Sequence, residues 1–349
     1  MRCSTSATLP GVRLVVDGRP LVGNRTGIGV HTAEIVRRLV LGSAPLIASH
    51  AAIDDREGLD GCAFRVDRSP LGVLWQQTIL PRIEGDVLWG PHGTLPLAWR
   101  RPSVVTLHDF TSITMPGRHR LKTILSFNLF IGRSLEQATR IACVSRAVAD
   151  EAIRGFGVDA AKIALVPNGV DDFFFDGTGE EGDYILFTGT LEPRKGLDDL
   201  LFAWTALPEP RPRLVLCGDA GWKTRIADDP RIEVTGYVTR ERLRALYRGA
   251  LAFIYPSRYE GFGIPPLEAM ACGAPVIATR TGAIPDFAEG AALLVDPGDR
   301  DALRDALARI AGDRTLRAEL RNAGPPRARL WNWDRGAAAM QELLEAACG

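Results

Sequence analysis

Short apolar runs alternate with amphipathic helical stretches along both halves of the chain. Each run is typical of a buried strand, and a turn separates it from the helix that follows. This alternation of strands and helices builds a parallel sheet with helices on both faces. Because 349 residues exceed the size at which one core usually divides, we expect two domains. The predicted fold class is α/β, with two Rossmann-like doubly wound domains facing across a ligand cleft.

The predicted elements form two sets on either side of a turn-rich stretch, 167–172, which is the predicted linker. The predicted strands are 12–17, 44–48, 86–89, 103–107, 140–144 and 162–166, and then 184–188, 213–217, 232–234, 251–255 and 276–278. The predicted helices are 121–138, 146–154, 197–206, 240–248, 267–272, 302–310 and 316–322. We expect Ser145 to cap one of them. We also expect a break at 324–326, Gly-Pro-Pro, before a last amphipathic helix, 333–347.

The charge balance argues against one broad class of protein. Lys plus Arg and Asp plus Glu both number 42, so the formal net charge is zero and a dedicated nucleic-acid binder is not expected. The six cysteines are scattered without CxxC or Cys/His clustering, which favours reduced thiols over disulfides or a zinc site. No apolar run approaches the ~18 residues of a membrane span, and residues 1–10 lack a hydrophobic signal core. The predicted location is the cytoplasm.

One loop combines glycines with two acidic residues between a predicted strand and a predicted helix. Gly261 and Gly263 lie where backbone N–H groups can face a diphosphate. Glu260 and Glu268 flank them, and a carboxylate accepts hydrogen bonds well from pairs of sugar or ribose hydroxyls. This combination predicts a nucleotide-sugar site. The alternative is a tight strand-to-helix turn without a ligand.

A second loop, 189–196, follows the first predicted strand of the second half. Arg194 and Lys195 precede a helix there, where two cations can neutralise a leaving diphosphate without a metal ion. The alternative is an exposed basic turn. Asp299 and Asp301 have the spacing of a metal-binding DxD motif, but they start a predicted helix and favour an N-cap.

Polar residues also follow the predicted strands of the first half. His108 and Asp109 end the strand 103–107, where a histidine can donate a hydrogen bond or act as acid or base. The alternative is a structural histidine tied to Asp109. His92 ends another strand and is a weaker candidate for the acceptor side. The glycine-rich loop 23–30 is neither a Walker A motif nor a GxGxxG fingerprint, so it indicates a general ligand loop.

A basic stretch leads into the predicted helix 121–138. It contains Arg118, His119, Arg120 and Lys122, followed by apolar positions. Such a helix can rest on an anionic membrane surface, although a core helix with a basic first turn is the simpler interpretation.

The motifs occur in the order 17–21, 25–29, 106–109, 166–171, 189–196 and 260–268, and so cover nearly the whole chain. Together they resemble retaining glycosyltransferases of the GT-B fold, in the large family (glycosyl transferases group 1) that includes sucrose synthase and bacterial mannosyltransferases. The resemblance implies an N-terminal acceptor domain, 1–166, and a C-terminal donor domain, 167–330. It also implies that 331–349 forms a helix that crosses back to the first domain.

The resemblance assigns a role to each candidate residue. Glu260 and nearby backbone amides would bind the hydroxyls of the donor sugar. Glu268 would bind the ribose, and Arg194 and Lys195 would bind the phosphates. The implied donor-binding residues are Gly27, Gly29, Thr190, Arg194, Lys195, Glu260, Gly261, Phe262, Gly263, Ile264 and Glu268. The implied catalytic residues are His108, Arg194, Lys195 and Glu260, with His108 near the 6-position of the transferred sugar. The acceptor-side candidates are Arg25, His92 and Asp109.

The implied reaction moves a hexose from a nucleotide diphosphate sugar to a glycan or lipid-linked acceptor with retention and without a metal ion or cofactor. The form of the 190–195 stretch resembles mannosyltransferases of bacterial cell-surface polysaccharides, so the expected donor is GDP-mannose. One departure is Thr190, because many relatives carry arginine there, and Arg194 would then have to compensate. The alternatives are a UDP-sugar donor, a nucleotide-sugar epimerase or hydrolase, and a non-catalytic binding subunit.

Overall fold

The computed structural model describes residues 11–23, 25, 27–114, 121–176, 182–219, 226 and 228–349, and their side chains except those of 121–127. The chain divides into two compact units. Unit 1 comprises residues 1–168 and 333–349, and unit 2 comprises residues 169–332. These boundaries lie two residues beyond the predicted ones, which follow 166 and 330. The basic stretch at 118–120 lies outside the described residues.

The strands are β1 Leu14–Asp17, β2 Leu46–Ser49, β3 Ala63–Val66, β4 Val87–Gly90, β5 Ser103–Leu107, β6 Arg140–Cys143, β7 Ile163–Leu165, β8 Tyr184–Thr188, β9 Arg213–Cys217, β10 Ile232–Gly236, β11 Ala252–Tyr255, β12 Val276–Thr279 and β13 Leu293–Val295. The helices are α1 Gly27–Val36, α2 Gly72–Thr78, α3 Thr111–Thr114, α4 Leu121–Gln137, α5 Arg146–Phe156, α6 Leu197–Thr205, α7 Arg240–Gly249, α8 Ile264–Ala271, α9 Ile284–Ala288, α10 Arg300–Gly312, α11 Arg314–Arg329 and α12 Trp333–Cys348. Ser145 caps α5 and Asp299 caps α10, as predicted.

Each unit contains one parallel sheet, and the six strands of unit 2 follow the same order as the first six strands of unit 1. In unit 1 the order is β3-β2-β1-β4-β5-β6-β7, and in unit 2 it is β10-β9-β8-β11-β12-β13. The central strands β1, β4, β8 and β11 are almost wholly buried, which explains their continuous apolar sequences. The α/β prediction is confirmed, and both sheets are doubly wound.

The strand order reverses once in each sheet, between β1 and β4 and between β8 and β11. Crossover connections leave on opposite faces at such a point, so a crevice opens outside the carboxyl ends of the two strands. In unit 1 the residues at these ends are 17–19 and 90–92, and in unit 2 they are 188–190 and 255–260. The topology therefore predicts a ligand site in each sheet, outside the carboxyl ends of the two strands at the reversal.

The predicted break at Gly324-Pro325-Pro326 is wrong, because α11 continues through it. Proline removes a backbone donor and normally ends a helix. Here tertiary contacts hold the helix directly before the prolines. A Cβ at Gly324 would lie 2.9 Å from the Met270 oxygen, so α11 packs closely on α8. Arg321 donates to the carbonyl oxygens of Ala250 at 2.7 Å and Gly273 at 3.1 Å.

The last helix, α12, belongs to unit 1. The Arg38 Nε lies 2.8 Å from Asp334 Oδ1, and the Val40 N–H donates to Gln341 Oε1 at 3.2 Å. At Gly336 the helix touches the first residue of the predicted linker, because a Cβ there would lie 2.3 Å from the Pro167 oxygen. Within the described residues no helix is both long and apolar enough to cross a membrane.

We predict opposite effects for two glycine-to-alanine changes in helices. Gly336→Ala should lower the free energy of unfolding by about 1–3 kcal/mol, because the new methyl group overlaps the Pro167 carbonyl. Gly132→Ala in α4 is the control and should raise it by up to about 1 kcal/mol, because nothing lies within 4 Å of its Cβ position. Urea unfolding of both variants measures the difference, and stabilisation by both would contradict the packing described here.

Candidate functional site

The loop between β11 and α8 is shaped by Gly263. This residue has φ +101°, and a Cβ there would lie 2.7 Å from Ile284 Cγ1. A side chain would therefore meet both backbone strain and a close contact. The helix begins at Ile264, three residues before the predicted start, with Pro265 and Pro266 in its first turn.

The backbone of this loop presents donors without protein acceptors. Among the described residues, none accepts a hydrogen bond from the N–H groups of Gly261, Phe262, Gly263 and Ile264. Phe262 is 4% exposed, and the two glycines are also buried. Buried backbone donors are nearly always paired, so three consecutive unpaired ones in buried residues, 261–263, indicate a place for a ligand oxygen.

Glu260 forms the centre of a charged cluster beside the loop. Its Oε1 accepts from Lys195 Nζ at 2.6 Å and from Ser257 Oγ at 2.5 Å. Arg194 Nη1 lies 3.5 Å away from the same oxygen. The other oxygen, Oε2, has no hydrogen bond with any described residue. The carboxylate is therefore fixed through Oε1, and Oε2 can accept a hydrogen bond from a ligand.

The two cations keep Glu260 ionised. Burial alone would raise its pKa, but Lys195 and Arg194 stabilise the carboxylate and hold the pKa below its ordinary value. Lys195 also donates to the hydroxyl of Tyr255 at 2.6 Å. An ammonium group has three protons, so Lys195 retains one donor beyond these two bonds.

A glycine explains how Lys195 reaches the cluster. Gly196 follows it with φ +71°, and a Cβ there would lie 2.1 Å from the Pro256 oxygen. Only a residue without a side chain allows the turn 193–196 to approach the end of β11 so closely. This close approach places the Lys195 side chain, which is 9% exposed, against Glu260.

Glu268 differs from Glu260 in its charge state. Its Oε2 accepts from the Tyr247 hydroxyl at 3.0 Å, and that hydroxyl also lies 3.0 Å from Thr188 Oγ1. Its Oε1 has no hydrogen bond with any described residue. Burial raises the pKa of Glu268 to about 7, because no cation touches it. Glu268 is thus half-protonated near neutral pH.

The remaining predicted residue of unit 2 is Thr190. Its side chain is exposed at the end of β8 and bonds no described residue. Arg194 Nε lies 3.3 Å from Glu192 Oε2, so this guanidinium lies between Glu192 and Glu260.

In unit 1, His108 is held by a backbone oxygen. Its Nε2 donates to the Pro91 carbonyl at 2.9 Å. Asp109 instead accepts from the N–H of Thr111 at 2.9 Å and from the hydroxyl of the same residue. The hydrogen bond of His108 therefore goes to Pro91 and not to Asp109, so the predicted tie to Asp109 is not formed. Burial lowers the pKa of His108 to about 4, so the ring is neutral at neutral pH and its Nδ1 is a hydrogen-bond acceptor.

His31 packs against His108, and sequence reasoning missed it. The two rings are perpendicular, with centroids 4.8 Å apart. His31 is fully buried, and its Nδ1 lies 2.7 Å from Asn168 Oδ1. Burial lowers its pKa to about 3. No motif marks this residue, because a buried histidine on a helix has no distinctive spacing.

The other predicted residues of unit 1 lie around the start of α1. Arg25 bonds to a neighbouring loop, with Nε 2.9 Å from Asp55 Oδ2. Gly29 is required for packing, because a Cβ would lie 2.5 Å from the Pro20 oxygen. Gly27 is exposed, with nothing within 4 Å of its Cβ position. His92 is exposed directly after Pro91.

The structure thus brings together part of the predicted set. Arg194, Lys195 and Glu260 share direct contacts in unit 2, and Glu268 lies on the helix that the loop enters. Within the described parts of the chain, no three His, Cys, Asp or Glu side chains come together as a metal site would need.

Two family profiles match the chain. "Glycosyl transferases group 1" matches residues 171–327, and "Glycosyltransferase Family 4" matches residues 65–172. O-antigen chain mannosyltransferase B of Escherichia coli is 28% identical, over 93% of this chain and 97% of that protein. A D-inositol 3-phosphate glycosyltransferase of Xylanimonas cellulosilytica is 32% identical, over 71% of this chain and 67% of that protein.

Solved structures show the same fold. Sucrose-phosphate synthase from Thermosynechococcus elongatus aligns with a TM-score of 0.75 at 20% identity, over 95% of this chain and 98% of that one. Anabaena HepE in complex with UDP and glucose aligns with a TM-score of 0.74 at 19% identity, over 96% and 99%. The chain therefore belongs to the group 1 glycosyltransferases and has the GT-B fold.

Proposed function

We propose that this glycosyltransferase moves a hexose from a nucleotide diphosphate sugar to a glycan or lipid-linked acceptor, with retention and without a metal ion. The proposed donor is GDP-mannose, and the proposed context is bacterial cell-surface polysaccharide synthesis. Two relatives, 28% and 27% identical, are named O-antigen chain mannosyltransferases, which supports this choice. Membership of the family favours transfer over the epimerase, hydrolase and non-catalytic alternatives.

One observation carries the proposal: the unpaired N–H groups of residues 261–264 lie between two glutamates that each keep one unbonded oxygen. The N–H groups can donate hydrogen bonds to phosphate oxygens, and the glutamate oxygens can accept them from hydroxyl groups. The ligand that matches this site therefore has both phosphate oxygens and hydroxyl groups. A purely anionic ligand would meet the two carboxylates unfavourably. A nucleotide diphosphate sugar has the required mixture.

The two glutamates suit different hydroxyl pairs. Glu268 Oε1 is available for the ribose, and accepting two hydroxyl donors would favour its ionised form. Glu260 Oε2 is available for the sugar, and Lys195 and Arg194 already keep the carboxylate ionised. Both glutamates therefore bind rather than react, and Glu260 is a weak nucleophile because its negative charge is compensated.

The leaving phosphate is the proposed partner of Lys195 and Arg194. A diphosphate that gains charge as the glycosidic bond breaks is stabilised by cations fixed beside it before the reaction. The third proton of Lys195 is available for such a bond. With no covalent nucleophile proposed, the acceptor hydroxyl attacks on the same face, and a phosphate oxygen takes its proton.

His108 has a limited proposed role. Its neutral ring commits Nε2 to Pro91, so Nδ1 is left to accept a hydrogen bond from the hydroxyl at the sugar's 6-position. A ring with a pKa of about 4 is a poor general acid at neutral pH.

UDP-sugars are a second candidate donor class. The structural neighbour HepE has been described in complex with UDP and with UDP-glucose. A thermal-shift panel of GDP-mannose, UDP-glucose and UDP-galactose separates the two classes.

We also propose that the protein is cytoplasmic and that residues 118–122 contact the membrane surface.

The reaction is tested by analysing the product. Purified protein incubated with GDP-mannose and an acceptor glycan should form an α-linked product, measured by the one-bond carbon–proton coupling at the new anomeric carbon. A chelator should not change the rate. A β-linked product would contradict retention. If EDTA lowered the rate and added Mg²⁺ restored it, metal independence would be contradicted.

Glu268→Gln should stabilise the protein while weakening donor binding. The raised folded-state pKa means that ionising Glu268 costs stability as pH rises from its ordinary value near 4.5 to about 7. Above that range the free energy of unfolding of the variant should exceed that of the wild-type protein by about 1–3 kcal/mol. Below that range the two proteins should be equally stable. GDP-mannose affinity should fall by about 1.5–3 kcal/mol, since a charge-assisted acceptor is lost.

Urea unfolding at both ends of the pH range and calorimetry provide the measurements. Glu319→Gln is the matched control, because Glu319 is an exposed glutamate of unit 2. It should change neither property. Lower stability of Glu268→Gln above neutral pH, or unaltered donor affinity, would show that Glu268 has a structural role instead.

A further inference from the structure

The buried ring of His31 lies where four segments of unit 1 meet, and the proposed function does not use it. Trp89 of β4 and Trp333 of α12 flank the ring, with centroids 6.0 and 6.1 Å away. His108, directly after β5, packs against it with a centroid distance of 4.8 Å. The fourth neighbour is Asn168, the last residue of unit 1 before unit 2 begins.

The orientation of the His31 ring is fixed by one hydrogen bond and by packing. Its Nδ1 lies 2.7 Å from Asn168 Oδ1. Because a carboxamide oxygen only accepts hydrogen bonds, the proton of the neutral ring is on Nδ1. Asn168 is 4% exposed, and Trp89 is itself held by a bond from its Nε1 to Thr106 Oγ1 at 2.8 Å. His31 therefore presents a rigid ring to its neighbours.

The choice of histidine at position 31 indicates that this orientation matters. The Nε2 atom of His31 is buried and bonds no described residue. An unpaired buried polar atom costs stability, and a phenylalanine ring would avoid that cost. What histidine has in exchange is the N–H group that Asn168 binds. The residue type thus favours an oriented ring over one that only fills space.

The hydrogen bond of His108 leaves its ring plane undetermined. The bond from Nε2 to the Pro91 oxygen fixes one atom, and rotation about χ2 of a histidine is soft. Nδ1 is two bonds away from Nε2 and moves when the ring turns. The His31 ring stands at 88° to the His108 ring and limits this rotation.

We propose that His31 is a positioning residue, which holds the His108 ring in the orientation where Nδ1 accepts a hydrogen bond from the 6-hydroxyl of the transferred sugar. The inference rests on the proposed function, since it concerns specificity in the same transfer. His31 is fully buried and acts through His108 alone. Its effect should therefore appear as a preference for a donor sugar with a 6-hydroxyl.

Two substitutions separate the two contacts of His31. His31→Phe keeps a ring against His108 but loses the N–H group that Asn168 binds. His31→Asn keeps a donor for Asn168 in the place of Nδ1 but loses the ring. If the ring positions His108, the asparagine variant should be the impaired one. If His31 only stabilises the fold through Asn168, the phenylalanine variant should be. Urea unfolding confirms that each variant is folded.

The first measurement is the preference between two donors. Calorimetry gives the affinities for GDP-mannose and GDP-6-deoxymannose, which lacks only the 6-hydroxyl. The wild-type protein should bind GDP-mannose about 3–10-fold more tightly, as one hydrogen bond would allow. His31→Phe should keep most of this preference, and His31→Asn should lose it by weakening the binding of GDP-mannose alone. Equal wild-type affinity for the two donors, or loss of the preference in His31→Phe but not in His31→Asn, would overturn the inference.

The second measurement needs no donor. Nitrogen NMR of the histidine rings should place the proton of His108 on Nε2 in the wild-type protein and in His31→Phe, because that atom bonds Pro91. In His31→Asn the shifts of the two ring nitrogens should move towards each other, since the ring leaves this bond for part of the time.

Together the two measurements separate this inference from the proposed function. If the wild-type protein binds no nucleotide sugar while the His108 shifts change as described, the donor assignment fails and the positioning by His31 stands. If GDP-mannose binds, but neither the His108 shifts nor the preference for the 6-hydroxyl changes in His31→Asn, the donor assignment is supported and the positioning by His31 is overturned.

Discussion

The ion pair between Lys195 and Glu260 is the interaction on which the candidate donor site depends. Both side chains are about nine-tenths buried, and removing either partner would leave an uncompensated charge there. The pair forms because Gly196 lets one turn lie against the end of β11, and Ser257 bonds the same carboxylate oxygen. It fixes the charge of Glu260, while Glu268, without a cation in contact, stays close to its titration point.

The two units share one topological solution. Each sheet reverses its strand order once, and in unit 2 the loops after the two strands at that reversal contain Lys195 and Glu260. In unit 2 the local chemistry combines backbone donors with carboxylates, which suits a nucleotide sugar.

Much of this arrangement was predictable from sequence, because buried central strands and glycine-rich turns have strong local patterns. The strands at 103–107, 184–188 and 213–217 were predicted with their full bounds. The edge strands β3 and β13 were not, since β3 is largely exposed and β13 is only three residues long. The course of α11 through two prolines depends on its packing against α8, and the contact between His31 and His108 joins residues far apart in the chain. Neither feature has a local signal.

The most direct measurement is a double-mutant cycle on donor binding. Lys195→Ala, Glu260→Gln and the double variant are titrated with GDP-mannose by calorimetry, after urea unfolding confirms that each is folded. Each single change should weaken binding by about 1.5–3 kcal/mol, and the double variant by clearly less than the sum, because the two residues act as one unit. Wild-type affinity in both single variants would contradict the assignment of this ion pair to the donor site.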